Sequence, residues 1–526
     1  MLTPTNKCYL LGNVPFDNSY QHVRLFSNAS EQFSYLNDFA VVRYGDDSGY
    51  SYQPVSIKGD VGSFMIVESA VDELLQAHVN YIMYQNSEHS SRWYFAFVTK
   101  INYASEQSSE LELETDVFQT WLFDVTLRNS FVMREMLATA DDVIGANLID
   151  ENLETGDYVF PKQATLSHDS NDLCIALGVT DEIPFEGVTP QKVVGGLYSH
   201  VYSGLFYYVF KSDNAGITYL NTALQTYANA GKSDAVVVLF MFPSFMANVG
   251  SNGLFYGWND TPTTVLVNPS ISDIDGYVPK NKKLYTYPYN FMACSNQNGQ
   301  TINYKYEFCS YNGNGNMVFE MQGNISPSPV IRLTPLNYRK CLKSYDDSLF
   351  LSGYPLCSWT SDVYSNWLAQ NAVSLPLSFV GGLASVATGV ASGNVISAGT
   401  GVLAVAQEIA SIHQHFIQPP EAKGNINGGS SNLATGVQCF RFLPACVQYQ
   451  YARNIDSYFE MFGYKTNRIK VPNIDTRPYW NYVKCIDVNI TGDIPNTDMN
   501  RLKQVYNDGV TLWHTNDMLN YGLDNH

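Results

Sequence analysis

Positive charge is scarce in this chain: 30 Lys and Arg stand against 49 Asp and Glu in 526 residues, a formal net charge of −19. Affinity for phosphates comes mainly from Lys and Arg, so the balance argues against a surface built to hold nucleic acid. A protein that lets DNA pass without gripping it tolerates such a balance. The N-terminal stretch MLTPTNKCYLLGNVPF has neither a basic start nor a long apolar run, and so lacks the pattern of a secretory signal. The nine cysteines are scattered, odd in number and without CxxC spacing, and read as reduced, mostly buried thiols of a chain made in a cytoplasm. HExxH and GxSxG are both missing, and no cysteine and histidine share a recognisable catalytic setting, so the chain reads as a non-enzyme without cofactor or metal.

The sharpest local deficiency is Val363 to Gln407, which contains no Asp, Glu, Lys or Arg although these make up 15% of the chain. Its centre, Leu375 to Ala406, is built from Gly, Ala, Ser and Val. Gly381, Ser385, Gly389, Gly393, Ser397 and Gly401 recur every fourth residue, which on a helix makes one ridge of small side chains. Gly389 and Gly393 have the GxxxG spacing that lets helices approach in lipid. The same residues also suit a glycine-rich surface loop, because Gly costs a helix in water about 1 kcal/mol relative to Ala.

Around the ridge stand Leu375, Leu377, Phe379, Val380, Leu383, Val386, Val390, Val395, Ile396, Val402, Leu403 and Val405, which with it form the candidate membrane-active set. A spanning helix needs about 20 mostly apolar residues, and Leu375 to Phe416 supplies roughly twice that, interrupted at Ser392-Gly393-Asn394. One tilted helix or a hairpin of two both fit. His413 and His415 lie on an expected helix, Ala406 to Phe416, ended by Pro419-Pro420; without a third ligand they read as interfacial polar groups whose protonation near about pH 6 tunes insertion. Gly424 to Gly436 reads as a flexible polar tether.

Elsewhere the 37 tyrosines and abundant Asn, Ser and Thr favour strands and turns. The length predicts two to four domains. Strands are expected at Tyr81 to Tyr84, Arg92 to Lys100 and Leu111 to Phe118. In the last of these Leu111, Leu113 and Val117 alternate with Glu112, Glu114 and Asp116, the pattern of a half-buried antiparallel strand. A short helix is expected at Ala70 to Gln76. The pairs Asp46-Asp47 and Asp141-Asp142 read as turn formers rather than catalytic carboxylates, and Asn147 to Asp169 as a polar connection.

Leu205 to Phe210, Ile217 to Ala230 and Val236 to Phe242 suggest strand, helix and strand, one βαβ unit without a phosphate loop. Pro243 to Ser328 reads as loop-rich β structure, with a strand at Thr301 to Phe308. Beyond the uncharged stretch, the pattern predicts a strand at Phe440 to Leu443, a helix at Tyr449 to Phe462 stopped by Gly463, strands through Trp480 to Asp487 and a helix at Asp498 to Asn507 stopped by Gly509. The basic cluster Lys465, Arg468, Lys470, Arg477 and Lys484 reads as salt bridges, including subunit contacts, or a solvated face, with DNA contact as the alternative.

Two blocks carry a resemblance. Tyr81 to Glu135, with FQTW at Phe118 to Trp121 and VMRE at Val132 to Glu135, and Phe462 to His514, running into GVTLWHT at Gly509 to Thr515, are similar to the tail knob, or distal tail, proteins of small short-tailed phages of Gram-positive bacteria. The family pattern often continues VREH, whereas Arg134-Glu135 is followed here by Met136, which weakens any role for a histidine there.

The resemblance implies a mainly β subunit with α+β insertions, a sheet-rich or barrel-like tube domain carrying a long Gly/Ala-rich hydrophobic loop. It implies the segments 1–137 (tube), 138–328 (variable middle), 329–362 (return to tube), 363–438 (loop and tether) and 439–526 (tube). It further implies a homohexameric ring at the virion tail tip, assembled with other tail proteins and conducting double-stranded DNA. The loops of six subunits would plug the lumen and later enter the host cell membrane as a channel. Adsorption to a cell-surface receptor through the unmatched middle is the alternative.

Overall fold

The computed structural model describes residues 7–45, 57–58, 63–85, 92–161, 165–166, 173–184, 191–192, 205–232, 235–249, 255–259, 261–269, 272–311, 315–324, 329–352, 354, 356–358, 425–427 and 439–526. The chain is mainly β, as expected, with α+β insertions. It divides into two compact units. The first joins Met1–Glu154, Tyr277–Leu284 and Tyr449–His526; the second joins Thr155–Gly276 and Tyr285–Gln448.

The first unit contains a seven-stranded antiparallel sheet in the order 40–44, 7–12, 79–85, 93–105, 108–115, 63–67, 57–58. One of its faces carries Tyr9, Leu11, Tyr81, Met83, Phe95 and Phe97 against Val132, Val483, Cys485, Val510 and Leu512 of a second, five-stranded sheet. The opposite face encloses Leu10, Ile82, Met65, Leu111 and Leu113 in a core of its own. Both faces are therefore buried over part of the sheet, which is why its central strands read as nearly continuous apolar runs. The five-stranded sheet has the order 22–24, 510–513, 480–486, 130–135, 464–470, so adjacent strands come from the two ends of the chain.

The expected strand Leu111 to Phe118 is corrected. It ends at Thr115. Asp116 caps a helix, Val117–Trp121, accepting hydrogen bonds from the Phe118 and Gln119 amides, and is buried rather than turned to water. The helices at 449–462 and 496–508 stand where the pattern puts them, and Gly463 and Gly509 follow them with positive φ.

In the second unit the strands Phe206–Lys211 and Val236–Pro243 flank helix Asn214–Asn229, but they do not pair with each other. Leu173–Val179, almost wholly buried, lies between them and is antiparallel to both, so the expected βαβ unit is a split one. The same sheet continues through Leu356–Ser358 to Asn425–Asn427. A further sheet pairs Thr263–Val267, Met317–Asn324 and Val330–Tyr338, and Thr301–Tyr304 ends earlier than expected, in a turn of 3-10 helix at Tyr306–Phe308. Pro444 sits within strand Arg441–Val447, opposite Met292.

Candidate functional site

The candidate membrane-active residues, Leu375 through Val405, and His413 and His415 lie outside the described residues, as does the expected helix Ala406 to Phe416. Asp46-Asp47 lies outside them too. On either side of Val363 to Gln407, residues 356–358 and 425–427 are described. Ser358 pairs with Asn425, Cys357 with Ile426 and Leu356 with Asn427 in one antiparallel ladder, so the intervening chain leaves and returns at adjacent backbone positions. Among the described residues no helix is long and apolar enough to cross a membrane, and no group of three His, Cys, Asp or Glu is placed to hold a metal ion.

The residues that carry the resemblance meet in the first unit, where they join the two ends of the chain. Gln119 of FQTW donates through Nε2 to the Arg24 carbonyl at 2.8 Å and accepts from Gln32 at 2.9 Å. The Arg24 guanidinium reaches the Trp513 carbonyl at 2.9 Å. Trp480 and Trp513, both fully buried, stand 5.3 Å apart with Met136 in their cluster. The position where the family pattern often has His is thus an apolar packing site.

Three buried carboxylates organise the polar half of this junction. Glu135 of VMRE accepts from the Lys470 ammonium at 2.8 Å and the Asn473 amide at 2.9 Å. The Glu151 side chain has no exposed surface and binds both Arg134 and Lys283, while its Oε1 also takes the Lys465 amide at 2.9 Å. Asp142 accepts from the Tyr464 hydroxyl at 2.8 Å, and burial pushes its carboxyl above the usual range. Asp456 then holds the short segment 277–284 by accepting from the Lys280 and Asn281 amides and the Tyr277 hydroxyl at 2.8–3.0 Å. Burial of ions in this way is tolerated only when every oxygen is hydrogen-bonded.

Two members of the basic cluster make ion pairs within the unit: half-buried Lys470 with Glu135, and buried Arg477, which lies 3.8 Å from Asp142 while donating to the Leu137 carbonyl. Asp141-Asp142 does form a turn, the end of a 3-10 helix at Thr139–Asp141, and the Asp142 side chain is in addition a buried acceptor. Its partner stands 322 positions away, and nothing local signals it. Gly463 shows how tightly the strands meet here, because a Cβ at this position would lie 2.2 Å from the Glu135 carbonyl oxygen, at φ +61°. Gly463→Ala is expected to destabilise the unit by about 2 kcal/mol or more, the left-handed penalty plus a clash with backbone, read as a lower urea midpoint.

The family described as the C-terminal domain of the Bacillus phage phi29 tail knob protein gp9 matches residues 255–526, more than half of the chain. The chain belongs to the tail knob protein family. The N-terminal region of caudoviral major tail proteins also matches, over residues 4–126. Across 98% of this chain and 98% of each relative, the tail knob proteins gp9 of Bacillus phages PZA and phi29 are both 25% identical. A solved structure, the tail knob protein gp12 of bacteriophage C1, has a TM-score of 0.62 at 16% identity and covers 98% of both chains, which bears on the fold. The chain is accordingly a structural component of a short phage tail, placed in the tail knob of the virion, where such proteins assemble with other tail proteins.

Proposed function

We propose that this tail knob protein forms a homohexameric ring at the tip of the tail, conducts the genome through its lumen, and uses the stretch 363–438 first as a plug and then as a membrane-inserting element. The candidate membrane-active residues, from Leu375 to Val405, would supply the apolar surface, and His413 and His415 the pH sensitivity. In this reading the first unit builds the tube. The observation that carries the proposal is the ladder of Leu356–Ser358 with Asn425–Asn427. It supports a single excursion, uncharged over Val363 to Gln407, tethered at one point of a sheet, so its release need not unfold the rest of the subunit. A net charge of −19 suits a conduit that repels rather than holds DNA.

Replacing 359–424 by a two-residue Asn-Gly turn should close the same ladder as a tight hairpin and leave folding and assembly intact. Dye release from liposomes should then be lost, whereas the unaltered protein releases dye, and more strongly at mildly acidic pH. Equal leakage from both proteins would remove the membrane role. Loss of assembly in the shortened protein would instead make the stretch part of the ring.

A further inference from the structure

The second unit contains a local reversal of the chain's charge balance. Met321 to Tyr345 carries Arg332, Arg339, Lys340 and Lys343 and no Asp or Glu, in a chain whose net charge is −19. Tyr338 pairs with Cys341, so strands Val330–Tyr338 and Cys341–Lys343 are joined by the two-residue turn Arg339-Lys340. Both turn residues have positive φ, +52° and +64°, the combination that Asn-Gly serves in a tight hairpin. Side chains at these positions cost stability, and backbone strain of this kind collects where a partner is met.

Two further turns close on this tip. The Arg339 amide donates to the Phe308 carbonyl at 2.9 Å, the Lys305 amide to the Tyr338 hydroxyl at 3.1 Å, and the Tyr304 hydroxyl to the Asp347 carbonyl at 2.8 Å. The Phe308 ring thereby has the Lys305 ammonium at 5.7 Å and the Arg339 guanidinium at 5.6 Å, two like charges on one ring. Asp347 lies 3.7 Å from Arg339, and Lys343 is paired with Glu320. Glu307 is engaged by the Tyr287 amide at 3.2 Å, and burial raises its carboxyl. Among the described residues no carboxylate is within ion-pair distance of Lys305 or Lys340. Arg339 to Leu342 are exposed without a break, followed by exposed Tyr345 and Asp346; Leu342 is 74% exposed and Tyr345 55%.

We propose that this three-turn surface docks on the headgroups of an anionic phospholipid bilayer. Cations beside an exposed leucine and tyrosine are the side chains that settle at such a boundary: the cations are drawn to the negative surface, and Leu and Tyr enter the interfacial layer. The acidic remainder of the chain is repelled by the same surface, so the tip decides which side approaches. The same compact unit holds the ladder of Leu356–Ser358 with Asn425–Asn427, from which the excursion departs. The inference rests on the membrane reading above and adds a docking surface outside the inserting stretch.

Co-sedimentation with phosphatidylcholine vesicles, with and without phosphatidylglycerol, tests it. The unaltered protein should bind the phosphatidylglycerol vesicles more tightly and lose that preference as salt is raised. Lys340→Gly should weaken this binding about fivefold while raising the urea midpoint, because glycine suits a positive φ. Lys340→Gly combined with Lys305→Gln should weaken it about thirtyfold. The protein shortened by replacing 359–424 should keep the preference although it releases no dye. Dye release by the unaltered protein without a preference for phosphatidylglycerol would overturn the docking surface and leave the inserting stretch standing. Equal binding by the double variant would do the same, as would a shortened protein that no longer binds. An unaltered protein that neither binds nor leaks either kind of vesicle would overturn both readings. Variants that lose affinity for a short DNA duplex but not for vesicles would assign the tip to nucleic acid and overturn the proposal.

Discussion

Glu151→Gln is expected to loosen the first unit by about 3–5 kcal/mol, the cost of leaving buried cations without their counter-charge. The carboxylate is wholly inaccessible; Lys283 beside it is 4% exposed and Arg134 12%. Burial pulls the Lys283 ammonium below its ordinary pKa, and Glu151 is the main influence opposing that shift. An amide keeps the shape but not the charge, so Lys283 loses the Glu151 counter-charge while its hydrogen bond to the Ile149 carbonyl at 2.8 Å remains. Lys283 lies in 277–284, the short stretch that returns to the first unit between two runs of the second. Hydrogen exchange of the 277–284 amides in the native protein should therefore accelerate more than exchange in strands 79–85 or 93–105. The triple variant Glu151→Leu, Lys283→Met and Arg134→Met should recover much of the loss, since it removes the desolvated ions together. If exchange in 277–284 is unchanged in Glu151→Gln, the pair contributes nothing to holding that segment.

The network around Glu151 also shows where sequence reasoning stops. Short apolar or alternating runs located parts of strands 79–85, 93–105 and 108–115, and the stop signals Gly463 and Gly509 placed the ends of two helices, because each of these is decided by neighbours within a few positions. The family was legible in FQTW, VMRE and GVTLWHT for a different reason: these residues sit where the two ends of the chain interlock, so packing constrains them closely. What stayed hidden depends on distant partners. Asp142 finds Tyr464, Glu135 finds Lys470 and Asp456 finds the 277–281 backbone, and no spacing announces any of them. The insertion of Leu173–Val179 between the strands of an apparent βαβ unit is a pairing choice of the same kind. Asp116 is the exception, since its signal was local. Asp116 and Gln119 have the spacing of a helix N-cap and its third residue, and the period of two through Val117 obscured it.

Asp116 carries the second large expected effect, a dependence of stability on pH that runs opposite to ordinary acid denaturation. Its carboxylate is buried, accepting from the Phe118 and Gln119 amides at 3.0 Å and from the Tyr81 hydroxyl at 2.7 Å. Burial raises its pKa from 3.8 to about 6, against the pull of those hydrogen bonds and of Tyr20. The folded state thus holds the proton more tightly than the unfolded chain. The stability this group contributes on protonation is complete below about pH 4 and is lost as pH rises through about 6. A shift of that size corresponds to about 3 kcal/mol between the two limits. Asp116→Asn keeps an acceptor for the helix amides but removes the titration. The stability difference between unaltered protein and variant, measured by denaturant unfolding, should therefore move by about that amount in favour of the unaltered protein between pH 7 and about pH 4. A difference that stays flat with pH would mean that Asp116 keeps its charge when folded, with its hydrogen bonds outweighing burial.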